Sequence, residues 1–166
     1  MALVRGLLKL VVFAVLAMVL FVGGWISGRL GIGRVVDPAS LSEAERQFAG
    51  RMRNVDMVGT FTVWGREERT PRTDRYEIVS VEKIADDQWR FNTKIDCCGL
   101  NGVTMPIAVP MRWVGDTPVI MMTDTGLPGI GTYTVRVFFY GDRYAGTWQG
   151  ERAGGFMSGR IEKTTP

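Results

Sequence analysis

Cys97 and Cys98 are the only cysteines in a chain of 166 residues that has no histidine at all. The missing histidine removes Ser-His and Cys-His nucleophilic pairs, imidazole general bases and histidine-ligated zinc in one step. Carboxylate pairs, lysine and tyrosine remain as catalytic groups. Asp86 and Asp87 are adjacent in a turn-forming stretch, so their side chains diverge into solvent. Asp116, Asp124 and Asp142 each stand beside Gly or Thr at strand ends, where turn formation accounts for them. No loop carries the closely spaced oxygen donors that calcium needs. Gly126 to Gly131 lacks the G-x-G-x-x-G order of a phosphate loop, and a strand pattern rather than a helix follows it. The expectation is therefore a protein that is not an enzyme, with no catalytic residues, no metal and no cofactor. Cys97 and Cys98 offer one exception, a vicinal redox pair. Two small reduced side chains at a strand end are the alternative, since a disulfide-stapled domain needs several separated cysteines.

What the chain does carry in quantity is adaptable apolar surface. It has nine methionines, a side chain that fills irregular gaps and suits promiscuous apolar sites as well as ordinary cores. Trp89, Phe91, Met105, Met111, Met121, Tyr133, Phe139 and Trp148 fall on alternating positions of successive strand patterns. They are the candidate lining of a site for a small apolar ligand or lipid.

Those residues need strands to hold them. From Val55 onward the hydrophobic period is two. Met57, Gly59, Phe61 and Val63 alternate with Thr60 and Thr62, and Tyr76 to Ile84 form the next run. Trp89, Phe91, Thr93 and Ile95 alternate with Arg90, Asn92, Lys94 and Asp96, the pattern of a half-buried strand. Val103 to Trp113 make a longer apolar face, with Pro106 and Pro110 in the other phase, which predicts an edge or a bulge. Val119 to Thr123, Tyr133 to Phe139, Tyr144 to Trp148 and Phe156 to Lys163 complete the set. The mixed-charge run Arg66 to Arg75 reads as a solvated hairpin.

About eight short strands at near-regular spacing, with no helix between them, predict an all-β fold: an up-and-down antiparallel barrel or sandwich. Eight closed strands leave an interior that is filled by side chains or holds one small ligand. Before the strands, Ser40 to Glu45 offer overlapping S-x-x-E capping boxes. Leu41, Ala44, Phe48 and Met52 share one helical face there, so a short amphipathic helix should pack against the domain, across an open end of the sheet.

At the N-terminus, Leu10 to Ile26 contain no charge, and eleven of the seventeen residues are Leu, Ile, Val or Phe. Near a helix centre these favour insertion by ~3 to 7 kcal/mol, and with Leu7 and Leu8 the stretch is about long enough to cross a bilayer. A cleaved signal peptide competes with this reading. No Ala-x-Ala-like site follows and the apolar run is long for a signal, so an uncleaved single-pass anchor is favoured. Arg5 and Lys9 precede the span, and Arg29 and Arg34 follow it. The favoured orientation keeps the N-terminus inside and exports the C-terminal domain, periplasmic or extracellular. The net charge of +3 is scattered among acids, unlike the clustered basic face of a nucleic-acid binder. The resulting organisation is an anchor over residues 1–27, a linker over 28–40, an amphipathic helix over 41–53, a β-domain over 54–163 and a tail over 164–166.

The C-terminal third runs Gly115-Asp116-Thr117-Pro118-Val119-Ile120, then Gly129 to Val137, then Phe139-Tyr140-Gly141-Asp142-Arg143-Tyr144-Ala145-Gly146-Thr147-Trp148, and closes on Gly159-Arg160-Ile161-Glu162-Lys163. With the region from Phe48 on, this resembles a group of uncharacterised bacterial envelope proteins that join one hydrophobic leader to a small all-β domain. The resemblance implies an envelope location and no activity, ligand or catalytic residue. The eight-strand pattern is also similar to lipocalin-like barrels in architecture. The Gly-x-Trp signature of that group belongs on the first strand, which here reads Gly59-Thr60-Phe61, while Gly146-Thr147-Trp148 comes near the end. The expected partners are the lipid bilayer, an apolar ligand or lipid and, as the alternative, an envelope protein docked on a non-enzymatic structural module; nucleic acid is not expected.

Overall fold

A computed structural model describes residues 2–29, 35–64, 72–95, 102–127 and 131–164. They divide into two units, residues 1–33 and 34–166. The first holds helix α1, Ala2–Arg29. Its stretch Val11–Gly28 is long and apolar enough to cross a membrane, lies near the N-terminus as a signal sequence also does, and is not buried within the protein. Phe13, Leu20 and Phe21 stand exposed on it.

The second unit is a closed, all-antiparallel barrel of eight strands in sequence order. They are β1 (Val55–Phe61), β2 (Arg72–Lys83), β3 (Gln88–Ile95), β4 (Val103–Val114), β5 (Thr117–Leu127), β6 (Gly131–Tyr140), β7 (Arg143–Gly150) and β8 (Gly154–Lys163). β1 pairs with both β2 and β8, Gly59 lying opposite Asp74 on one side and Gly159 on the other. That double pairing closes the sheet and leaves no free edge at the join. Period-two patterning sends Val55 and Met57 of β1, Ile78 of β2, Trp89 and Phe91 of β3, Met111 of β4, Met122 of β5, Val137 and Phe139 of β6 and Tyr144 of β7 inward, all of them buried.

Glycine makes the closure geometrically feasible. A Cβ on Gly146 would collide with the Arg136 carbonyl oxygen and come within 2.7 Å of Val137 Cα. A Cβ on Gly59 would strike the Ser158 carbonyl. Backbones approach at these positions more closely than any side chain permits.

The two ends of the barrel differ. At one end lie the β2–β3 turn, the β4–β5 hairpin at Gly115-Asp116 and the β6–β7 hairpin at Gly141-Asp142. Gly115 and Gly141 have φ of 64° and 58°, the left-handed conformation that two-residue hairpins require. Helix α2, Glu43–Arg51, covers this end. Ser42 caps it by accepting the N–H of Glu45, and the Glu45 carboxylate accepts the N–H of Ser42 at 2.8 Å, a complete capping box. Phe48 and Met52 are each 1 % exposed. The Phe48 ring meets Trp89 and Trp113 edge-on, with centroids 6.0 Å away in both cases, and tilts onto Phe139 at 5.3 Å. An ion pair, Lys83 Nζ to Glu45 Oε1 at 2.6 Å, ties α2 to the inner face of β2. The expected amphipathic helix across an open end is therefore present and acts as a plug.

Of the run Arg66 to Arg75, only the last four residues are described, and Arg72, Thr73 and Arg75 among them are exposed. Residues 72–75 belong to β2, with Asp74 on the inner face opposite Gly59; the remainder lies outside the described residues.

Candidate functional site

The opposite end of the barrel, reached by the C-terminus of β1 and the N-terminus of β2, has no helix over it among the described residues. Inward side chains lose burial toward it. Trp89, Met111 and Phe139 at the plugged end are at most 2 % exposed. Met105, Ile107, Leu127, Tyr133, Val135, Trp148 and Met157 face the same interior and stay only half-buried. A solvent-open cleft of about 240 Å³ lies at this rim, lined by Thr132, Tyr133, Trp148, Glu151 and Arg152. The buried Trp148 indole N–H has no acceptor among the described residues, and its ring packs edge-on against Phe61 at 6.3 Å.

The wall is also split on this side. β4 and β5 pair only through Met111–Val114 and Thr117–Ile120. Below that, among the described residues, Val103 to Pro110 have ladder partners on β3 alone, and Met121, Met122 and Thr125 to Leu127 on β6 alone. Two features cause the split. Met111 donates its N–H to the Asp87 carbonyl at 2.7 Å, on the β3 side, so its even-numbered neighbours turn their amide positions toward β5. At Pro106 and Pro110 that donor does not exist. On β5, the register breaks between Met122 and Thr125, with Asp124 at φ 45°. Thr134 Oγ1 holds the bulge by accepting the Asp124 N–H at 3.0 Å and donating to its carboxylate at 3.1 Å. Arg136 adds hydrogen bonds to the Met122 carbonyl and Thr123 Oγ1. A bulge bends its strand away from the partner. The expected edge at Pro106 and Pro110 is thus a seam inside a closed barrel.

The candidate lining residues fall into distinct places. Met105, Tyr133 and Trp148 line the open half. Phe91 is 6 % exposed at the waist, stacked on Phe139 with centroids 6.3 Å away. Trp89, Met111 and Phe139 belong to the packed core with Phe48 and not to the cleft at the rim. Met121 points outward and is 40 % exposed, and its neighbour Met122 takes the inner position at 3 %. The pairing of Met111 with Ile120 sets this phase, placing Ile120 and Met122 inside. Cys97 and Cys98 lie outside the described residues.

Sequence reasoning missed a polar pair at the waist. Tyr144 is 2 % exposed, and its hydroxyl lies 2.5 Å from where a Gly59 Cβ would stand and 2.7 Å from a Gly159 Cβ. A side chain at either glycine would collide with this hydroxyl. Asp74 lies cross-strand from Gly59 on the inner face of β2 and is half-buried. Burial, with the Asp74 charge as a second cause, pushes the Tyr144 phenol up to about 12. Thr93, 5 % exposed, adds a hydroxyl on the inner face of β3. Asp74 and Thr93 thus add polar groups to inner faces of β2 and β3 that otherwise carry the buried Ile78, Val81, Trp89 and Phe91. Among the described residues, no three acidic or cysteine side chains gather as a metal site.

No protein-family model matches this chain, and no curated protein sequence or solved structure is significantly similar to it.

Proposed function

We propose that this protein is a membrane-tethered binding module whose barrel takes a small apolar ligand or lipid and catalyses no reaction. The observation that carries this reading is the asymmetry of the interior: one half is packed solid beneath α2, and the other leaves apolar side chains half-exposed behind a split wall. A folded domain that only needed a core would close both halves. The apolar span of α1 supports an uncleaved anchor, with Arg5 and Lys9 on its inner flank and the barrel exported in a bacterial envelope. That placement puts the seam in a compartment where apolar molecules come from the bilayer itself. The test is a native mass spectrum of the full chain extracted from membranes in detergent. The reading expects the mass of an unprocessed chain with one apolar adduct at near-unit stoichiometry. An adduct-free spectrum that stays unchanged after incubation with membrane lipid extract overturns it.

A second reading is favoured by the outer face of the plugged end. Val114, Met121, Phe138 and Tyr140 are 71, 40, 47 and 70 % exposed there, a patch of the kind that marks protein contacts. In this reading the barrel docks an envelope partner. Phe138→Asp should then abolish co-purification of a defined partner while leaving ligand adducts intact. Retention of the same partner by that variant counts against docking at this face. A redox role for Cys97 and Cys98 is tested by replacing both with Ser: an unchanged phenotype removes it.

A further inference from the structure

The outside of the barrel is as uneven as its interior. On β1, β2 and β3 the outer face carries a ladder of ion pairs: Arg75 with Asp56, Lys94 with Glu77 and Arg90 with Glu82. Six charged residues stand on β2 and two on β3, whereas β4, β5 and β6 together hold three, Arg112, Asp124 and Arg136. Those three are turned to groups of the protein itself. Arg112 reaches Asp87 at 3.0 Å, Asp124 accepts the Thr134 hydroxyl at 3.1 Å, and Arg136 donates to the Met122 carbonyl and Thr123 Oγ1. What this wall offers to solvent is apolar: Val114, Met121, Phe138 and Tyr140. Met121 stands where β5 parts from β4, so the patch borders the seam.

The chain itself supplies what covers this wall. Val36 donates its N–H to the Lys83 carbonyl at 2.9 Å, at the plugged end. Only residues 30–34 lie between Arg29 and Val35, and at full extension such a stretch reaches no more than about 20 Å. Eight strands spaced 4.8 Å apart at the usual tilt close to a backbone diameter of about 15 Å. With α1 in a bilayer, the barrel therefore stays within about its own width of the lipid, and any of its walls can turn toward it. The tether fixes proximity, and the side chains choose the wall. Aromatic and aliphatic groups settle in the interfacial layer. The ion-pair ladder of the other wall stays in water, because burying it carries a desolvation cost.

We propose that the β4–β6 wall is the membrane-contacting face of the barrel, lying on the lipid interface so that the seam between β4 and β5 opens to the bilayer. This rests on the uncleaved anchor and the ligand-binding reading above. It supplies the route by which an apolar molecule passes between bilayer and barrel interior without crossing water.

The test places the full chain in phosphatidylcholine vesicles that contain a phospholipid with a diazirine near the head-group end of one acyl chain. Label is mapped on peptides after illumination, and label on α1 records that the anchor is in place. The expected result is label on Val114, Met121, Phe138 and Tyr140, with none on the outer faces of β2 and β3. Met121→Glu combined with Phe138→Glu, both at exposed positions, should remove the label from Val114 and Tyr140 and keep it on α1. The same double variant should take up lipid from vesicles more slowly in native mass spectra, yet load fully when lipid is supplied in detergent. Equal label on both walls, or none on the barrel, overturns the membrane contact, and adducts in the native spectrum then leave the ligand-binding reading standing. Absence of lipid label together with a protein cross-linked at Phe138 in native membranes assigns the wall to a partner and overturns the proposal as well.

Discussion

Tyr144 and Asp74 show how a side chain's meaning changes once its face is known. Asp74 lies in a run of mixed charge that reads as solvated surface, and Tyr144 follows the Gly141-Asp142 turn. Neither position signals an interior group, because the phase of β2 is fixed only by its pairing with β1. The Tyr144 pKa gives a direct check. Its ordinary value is about 10 and burial raises it to about 12, so folding favours the neutral phenol. That contribution is whole below pH ~10 and is lost as pH climbs to about 12. Urea midpoints measured from pH 8 to 12 should therefore fall more steeply for the native chain than for Tyr144→Phe. Parallel curves would place Tyr144 in a solvated site. A second residue-scale expectation concerns Phe48, which touches three rings at the plugged end. Phe48→Ala should destabilise the barrel by about 3 to 5 kcal/mol, as buried aromatic truncations do, in denaturation followed by tryptophan fluorescence. A loss under 1 kcal/mol would mean that α2 rests on the barrel without plugging it.

Among the elements, α2 was the most legible in the sequence. Its capping box, its apolar face of Leu41, Phe48 and Met52, and its place across a barrel end all follow from spacing and side-chain type. Strand count was legible too, from the alternation that recurs between Val55 and Lys163, whereas closure was not: the same pattern fits a barrel or a sandwich, and the pairing of β1 with β8 decides it. The interior of β5 was not. Met121 and Met122 are adjacent and chemically identical, so only the register with β4 decides which one faces in. The bulge at Asp124 then resets the alternation without changing any hydrophobic count. Pro106 and Pro110 announced an edge, but a local pattern cannot tell the edge of a sheet from a seam in a barrel wall. Native-state hydrogen exchange separates the two. The ladder at Met111 to Val114 should be protected with the core, while the seam-facing amides of Thr104 and Ala108 exchange early. Uniform protection along β4 would mean that the wall is closed.

On the scale of the whole molecule, an apolar helix long enough to cross a membrane is joined to a barrel that is plugged at one end and split at the other. The helix was legible from composition, since a charge-free run over a span's length needs no tertiary information. Which half of the barrel is filled was not, because that depends on where α2 docks. The central claim is that the open half holds apolar molecules from the surrounding membrane. Photolabelling of the full chain in native membranes with an alkyl diazirine, followed by peptide mapping, tests it most directly. Helix α1 should be labelled, and so should Met105, Leu127, Tyr133, Trp148 and Met157 inside the barrel. Labelling confined to α1, with none of those five residues modified, would contradict the account.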